Sequence, residues 1–234
     1  MDRILEENMQ DLARQNTLKA TEFLDSDSDT VRDFTQKIVG SEDDPVQQAI
    51  KLFYFVRDKI RYDVYGIDMT RLGLKASSII KNRAGFCIHK SIVFAAACRS
   101  LGIPSRLAFS DVRNHISTPA LKALVGGDVF HYHAYAEVYL KGRWVKATPV
   151  FNLMLCYLFG IAPLDFDGVN DATLQPFDSE GNKSLEFIEF HGSFDDVPYA
   201  QCISALKQHH PRLFLDNGKT ARGDLPKEAA ASSS

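Results

Sequence analysis

The sequence predicts an α+β fold in which one buried helix packs on an antiparallel β-sheet, with further helices ahead of it. Three observations carry this. Residues 87–98 read as an apolar helix, interrupted only by His89-Lys90-Ser91, that begins just after Gly85 and stops at Leu101-Gly102-Ile103-Pro104, glycine after the last turn and proline beyond it. Residues 106–113 and 130–148 then change to a β-rich texture, with Lys141-Gly142 between two such runs marking a hairpin. Helices and strands are segregated along the chain instead of alternating, which argues against a doubly wound parallel sheet.

Residues near 2–24 have mixed helical character, and Asp25-Ser26-Asp27-Ser28-Asp29 is an acidic break. Ser28 or Asp29 then suits the N-cap of a helix over about 30–39, ended by Gly40-Ser41-Glu42-Asp43. Asp44-Pro45 reads as N-cap and first-turn proline of a stronger helix. Its apolar positions Val46, Ala49, Ile50, Phe53, Val56 and Ile60 recur at helical spacing and face a core. After the 87–98 helix come a strand over 106–113, a loop with Ser117, Thr118 and Pro119, a short helix near 120–125, and strands over 130–140 and 143–148. Residues 150–215 are mixed, with short helices near 152–159 and 199–208 between acidic loops. The expected division is a helical extension over 1–44, the main domain over 45–215, and a frayed tail over 216–234.

Composition bounds the function. The 234 residues are 45% hydrophobic and 24% charged, enough for one sizeable core. A net charge of −3 offers no electrostatic footprint for nucleic acid. No apolar run reaches the roughly 18–20 residues that span a bilayer, and the acidic, polar Met1-Asp2-Arg3-Ile4-Leu5-Glu6-Glu7 is unlike an export signal. Cys87, Cys98, Cys156 and Cys202 are widely spaced with no CxxC pair, which predicts free thiols in a cytoplasmic protein and no structural zinc. Asp165-Phe166-Asp167-Gly168 and Asp195-Asp196 lack EF-hand spacing and read as solvated turns. No glycine-rich phosphate loop is present, and no metal or cofactor is expected. Oligomeric state is not legible.

The most informative residue is Cys87. In Arg83-Ala84-Gly85-Phe86-Cys87 a glycine turn delivers a cysteine to the first turn of an apolar helix. The positive end of the helix dipole favours thiolate there, and thiolate is the nucleophilic form. Downstream, the strand His131-Tyr132-His133-Ala134-Tyr135-Ala136-Glu137-Val138-Tyr139-Leu140 carries a histidine that could serve as base. In a regular strand His133, Tyr135 and Glu137 share one face. His131 and His89 are rivals for the same role; His89, two residues from Cys87, points to a different side of its helix. The backbone N–H of Cys87 is a natural oxyanion donor, with Tyr62 or Tyr65 as candidates for a second.

These residues carry a family resemblance. Gly-x-Cys opening an apolar helix that ends Leu101-Gly102-Ile103-Pro104-Ser105-Arg106, then His133-Ala134-Tyr135 with Glu137-Val138-Tyr139-Leu140, then Gly142-Arg143-Trp144-Val145, resembles the transglutaminase-like superfamily with its papain-like Cys-His core. The segment Phe55 to Asp63 resembles the helix that precedes that core, so the likeness spans about 45–150. It implies Cys87 as nucleophile and His133 as general base and acid. The family's aspartate, four residues after the tryptophan and just before a proline, falls here on Thr148. A threonine hydroxyl can accept a hydrogen bond from imidazole but cannot stabilise imidazolium by charge. Asn152 is a second neutral candidate for that place, and Asp111 or Asp165 would restore a carboxylate. The resemblance therefore implies either a thiol enzyme cleaving or transferring the acyl group of a peptide or amide, or a binding module for such a group with a degenerate triad.

Overall fold

The computed structural model describes residues 14–115, 117–173, 185–215 and 217–232. Two amphipathic helices come first, α1 (Asp29–Val39) and α2 (Pro45–Lys59). The Ser28 hydroxyl accepts the Val31 N–H and the Asp44 carboxylate accepts the Val46 N–H, so each cap satisfies an amide that the helix start leaves unpaired. The chain leaves α2 through β1 (Arg61–Tyr62), reaches α3 (Ala76–Asn82), and returns through β2 (Ala84–Gly85), which pairs in parallel with β1. Next comes α4 (Cys87–Ser100), whose residues are all buried except Ser100. A helix apolar all round must be enclosed on every side. Strands β4 (Val129–Leu140) and β3 (Ser105–Asn114) cover one flank of α4, while α1, α2 and α3 cover the others.

The main sheet has the order β5-β4-β3-β6, antiparallel throughout, with β5 at Arg143–Ala147 and β6 at Leu185–Phe194. Ala134, Ala136 and Val138 of β4 belong to the core shared with α4. On the opposite face Glu137 pairs with Arg106 at 2.6 Å. Short α5 (Pro119–Val125) precedes β4, α6 (Leu153–Phe159) follows β5, and α7 (Tyr199–His209) with a 3₁₀ turn (Pro211–Leu213) follows β6. One apolar core includes Phe23 and Leu24, α1, α2, α4 and the sheet, and extends to Leu225.

A lysine sits inside this apolar structure. Lys90 is fully buried on α4, and its ammonium donates to the carbonyls of Arg57 and Ile60, both at 2.7 Å. Those are orphan acceptors at the end of α2. The side chain thus fixes where α2 stops and where β1 sets out towards the start of α4.

The structure departs from the sequence reading in three places. The ribbon β1–β2 and α3 are too short to leave a periodicity. Strand β6 is an edge strand with two register shifts against β3, and Phe187, Ile188 and Phe190 are exposed on it, so its pattern resembles no half-buried strand. The segment expected to fray is packed: Thr220 is fully buried, its hydroxyl accepts the Ile67 N–H at 2.8 Å, and Leu225 opens α8 (Leu225–Ser232) from inside the core. Backbone bonds to 66–69 hold it there, an order that no local pattern encodes. Most of the helix expected near 2–24 lies outside the described residues. No helix among those described is long and apolar enough to cross a membrane.

Candidate active site

Cys87 is the first residue of α4, after an extended Phe86 that offers no side-chain cap. Gly85 is required by close approach: a Cβ there would lie 2.3 Å from the Cβ of His89. The β1–β2 pairing Tyr62↔Gly85 carries Tyr62 alongside Phe86 and Cys87. On the other side lies β4. The backbone amides of Ala134, Ile88 and Cys87 itself act to lower the pKa of the thiol. One turn along, the Ser91 hydroxyl donates to the Ala134 carbonyl at 3.2 Å. The start of α4 is thereby pinned to the residue that follows His133. Cys87 and His133 line one cavity of about 50 Å³, walled otherwise by Tyr62, Phe86, Val112 and Phe151 among others.

Burial decides the charges here. It pushes the Cys87 thiol up to about 11, against the lowering effect of the three amides. The expected thiolate-favouring helix start is therefore outweighed by desolvation, because the sulfur is only 8% exposed. Burial likewise pushes the His133 imidazole down to about 4. At neutral pH the unliganded pair rests as thiol and neutral imidazole.

The third position differs from the expectation. Strand pairing runs Ala136↔Ala147, so the next residues outward, Tyr135 and Thr148, stand opposite each other, and Thr148 falls on the sheet face of Tyr135 and His133. The Thr148 hydroxyl and the His133 Nε2 are both buried without a hydrogen-bond partner. The expected bond between them is not made. A threonine oxygen sits on Cβ, one bond nearer the backbone than an aspartate carboxylate oxygen. Of the substitutes, Asn152 precedes α6 and makes no side-chain cap bond there, while the two carboxylates are engaged elsewhere. Asp165 is exposed, 3.8 Å from Arg57.

Asp111 is held by two other histidines. Its carboxylate accepts His131 Nδ1–H and His191 Nε2–H, each at 2.6 Å, and the Tyr132 N–H at 3.0 Å. Burial works against its charge, but the bonds from His191, Tyr132 and His131 prevail and hold it below the usual carboxylate range. The ring of His209 stacks on His131 at 3.8 Å. The His131 N–H donates to His210 Nε2 at 3.0 Å, so His210 carries its proton on Nδ1 and donates it to the Val125 carbonyl at 2.8 Å. His191, His209 and His210 were missed from sequence; the adjacent His209-His210 pair was the one available signal. The rival His89 faces away, its Nε2–H donating to the Asp68 carbonyl at 3.2 Å. Tyr65 gives its hydroxyl to Glu228 at 2.9 Å, while Tyr62 stays beside Cys87. All four cysteines are free thiols.

The profile of the Transglutaminase-like superfamily matches residues 32–149, about half of the chain, and the chain belongs to that superfamily. The matched span includes Cys87, His133 and Thr148. Among solved structures the chain is similar to one from Cytophaga hutchinsonii described as a candidate cysteine protease, at 18% identity over 76% of this chain and 53% of that one, TM-score 0.44. It is also similar to one from Parabacteroides distasonis described as a candidate protease, at 10% identity over 58% of this chain and 26% of that one, TM-score 0.37. The chain thus spans about half and about a quarter of those two chains. No curated protein matches it.

Proposed function

We propose that the protein is a thiol enzyme that cleaves or transfers the acyl group of an amide or peptide. The observation that carries this reading is the cavity that Cys87, at the start of α4, and His133, on β4, line together. In this reading Cys87 attacks the acyl carbon as its proton passes to His133, joining C–S bond formation to proton transfer. The Cys87 N–H, with Tyr62 O–H as the second donor, receives the charge that develops on the carbonyl oxygen. His133 returns the proton to the departing amine as the C–N bond breaks. The thioester is then opened by water in hydrolysis or by a second amine in transfer. Among the described residues the cavity walls carry no Lys, Arg, Asp or Glu, which favours a neutral, apolar group on the acyl donor, since a charge would be desolvated there.

The experiment is alkylation by iodoacetamide, read separately at each cysteine by mass spectrometry. Cys87 should label faster than Cys98, Cys156 and Cys202, and an activated acyl-amide probe should attach to Cys87 alone. A second reading, a binding module that holds an amide without cleaving it, draws support from the neutral resting pair and the unbonded Thr148. Labelling equally slow at all four thiols, with no acyl adduct, selects that reading.

A further inference from the structure

Strand β4 is irregular where it reaches the site. His131 and Tyr132 together stand opposite the single residue Asp111, between the pairs Ser110↔His133 and Val112↔Phe130. Tyr132 adopts φ 54°, the left-handed region that a tyrosine enters only when its surroundings force it. This is a β-bulge, a device that bends a strand and re-aims side chains, and it lies immediately before His133. In an unbulged strand His131 and His133 would share a face. Here His131 instead turns to Asp111.

What holds the bulge is one carboxylate. Asp111 takes the Tyr132 N–H at 3.0 Å and His191 on the same oxygen, and His131 on the other. The His191 ring also lies flat on Tyr132, centroids 4.4 Å apart and planes 12° from parallel. A carboxylate only accepts, so it can satisfy three donors at once. An amide in its place would turn its own N–H groups towards one of them.

We propose that Asp111 is a positioning residue of the Cys87 site: by holding the His131–Tyr132 bulge, it fixes the backbone from which His133 reaches Cys87. This rests on the reading of His133 as the base. Asp111 itself touches neither Cys87 nor His133. It acts through the strand.

The test measures iodoacetamide alkylation of Cys87 in the full chain, with thermal melting as the fold control. His133→Gln sets the scale and should slow Cys87 at least tenfold. Asp111→Asn should slow it at least fivefold while the melting transition stays cooperative. Adding Tyr132→Gly, which adopts positive φ freely, should recover a third or more of the lost rate, because the bulge then needs less holding. A merely structural role for Asp111 would not be rescued at Tyr132. If Asp111→Asn does not fold, His191→Phe takes its place: it keeps the ring stack and deletes one bond to Asp111, and should slow Cys87 more than threefold. The proposal is overturned if the Asp111 variant (or its His191 substitute) labels within twofold of the parent, or slows without rescue by Tyr132→Gly. If His133→Gln labels normally, the base assignment fails. A slow Asp111→Asn would then show action by another route, and an unchanged one no action, and either outcome overturns the proposal.

Discussion

Two histidines two residues apart on the same strand are held in opposite ways. His131 is bonded at Nδ1 to a carboxylate and stacked on His209, and its backbone N–H is taken by His210. His133 is buried with Nε2 unpartnered, and the Thr148 hydroxyl is buried and unpartnered too. The polar bonding is concentrated on the scaffold beside the site, and the pair proposed to react is left neutral and weakly held. Such a site has its thiol proton still in place, and in the proposed reaction His133 must take it as the C–S bond forms.

The largest expected effect breaks the comparison outright. Cys87→Ala should abolish covalent labelling by an acyl-amide probe, with the melting temperature little changed, since alanine is tolerated in the first turn. Persisting adduct would place the reactive thiol elsewhere. Next, His133→Gln should lower probe turnover about a hundredfold, the usual worth of a positioned base, whereas His131→Gln should cost less because His131 serves the bulge. Turnover measured for both variants decides which imidazole is the base; the reverse order would give that role to His131 and Asp111.

Acid stability sharpens the contrast. His133 titrates at about 4 when folded, pushed down by burial, and His89 does the same. Unfolded histidine titrates near 6.5. Between those values the unfolded chain binds more protons, so stability is present above pH 6.5 and lost as pH falls towards 4. Each group contributes up to about 3 kcal/mol of that loss. Burial also pushes His210 down, so it adds to the same slope; urea unfolding at pH 7 and pH 4.5 should show the loss, and His133→Gln should flatten the slope in part. Asp111, held below its usual range, adds a separate loss only as pH falls below about 4. An unchanged slope in His133→Gln would mean that the imidazole is solvated.

Thr148→Asp should restore what the third position lacks. A carboxylate reaching His133 Nε2 would favour imidazolium and, through it, thiolate, raising the Cys87 alkylation rate at pH 7 roughly tenfold for each unit the pair is shifted. A rate that falls instead would show that the buried charge finds no partner.

Much of this was legible. The caps at Ser28 and Asp44, the punctuation at Gly102 and Pro104, and the hairpin at Lys141-Gly142 are local signals, and the elements they bound stand within a residue or two of where they were expected. Cys87 and His133 could be nominated because a helix start and a strand motif flag them individually. The thiol's direction of shift was not legible, because the helix start is local whereas desolvation depends on β4 covering it. Asp111 could be guessed as a carboxylate near the site, but not its partners. His191 comes from an edge strand without clear alternation, and the bulge that turns His131 to Asp111 leaves no trace in a two-residue period. The strap over 217–221 is held by backbone bonds to 66–69 and by the Thr220 hydroxyl, contacts between distant parts of the chain.

The smallest expected effect is the most specific test of the unbonded third position. Thr148 is 6% exposed and its hydroxyl makes no hydrogen bond. A buried donor without a partner carries a desolvation cost that an apolar group of the same shape avoids. Thr148→Val keeps the branched shape, the fit beside β4 and the backbone bond from the Thr148 N–H to the Ala172 carbonyl at 2.9 Å. Stability by urea unfolding should therefore be unchanged or rise by about 1 kcal/mol, and Cys87 alkylation should stay within twofold of the parent. If the hydroxyl does orient His133 in solution, both measurements move the other way. Stability would fall by about 0.5–1.5 kcal/mol, the net worth of a neutral hydrogen bond, and the alkylation rate would fall with it. Val and Asp at this one position, read side by side, thus separate a site whose third residue is inert from one that a neutral hydroxyl still directs.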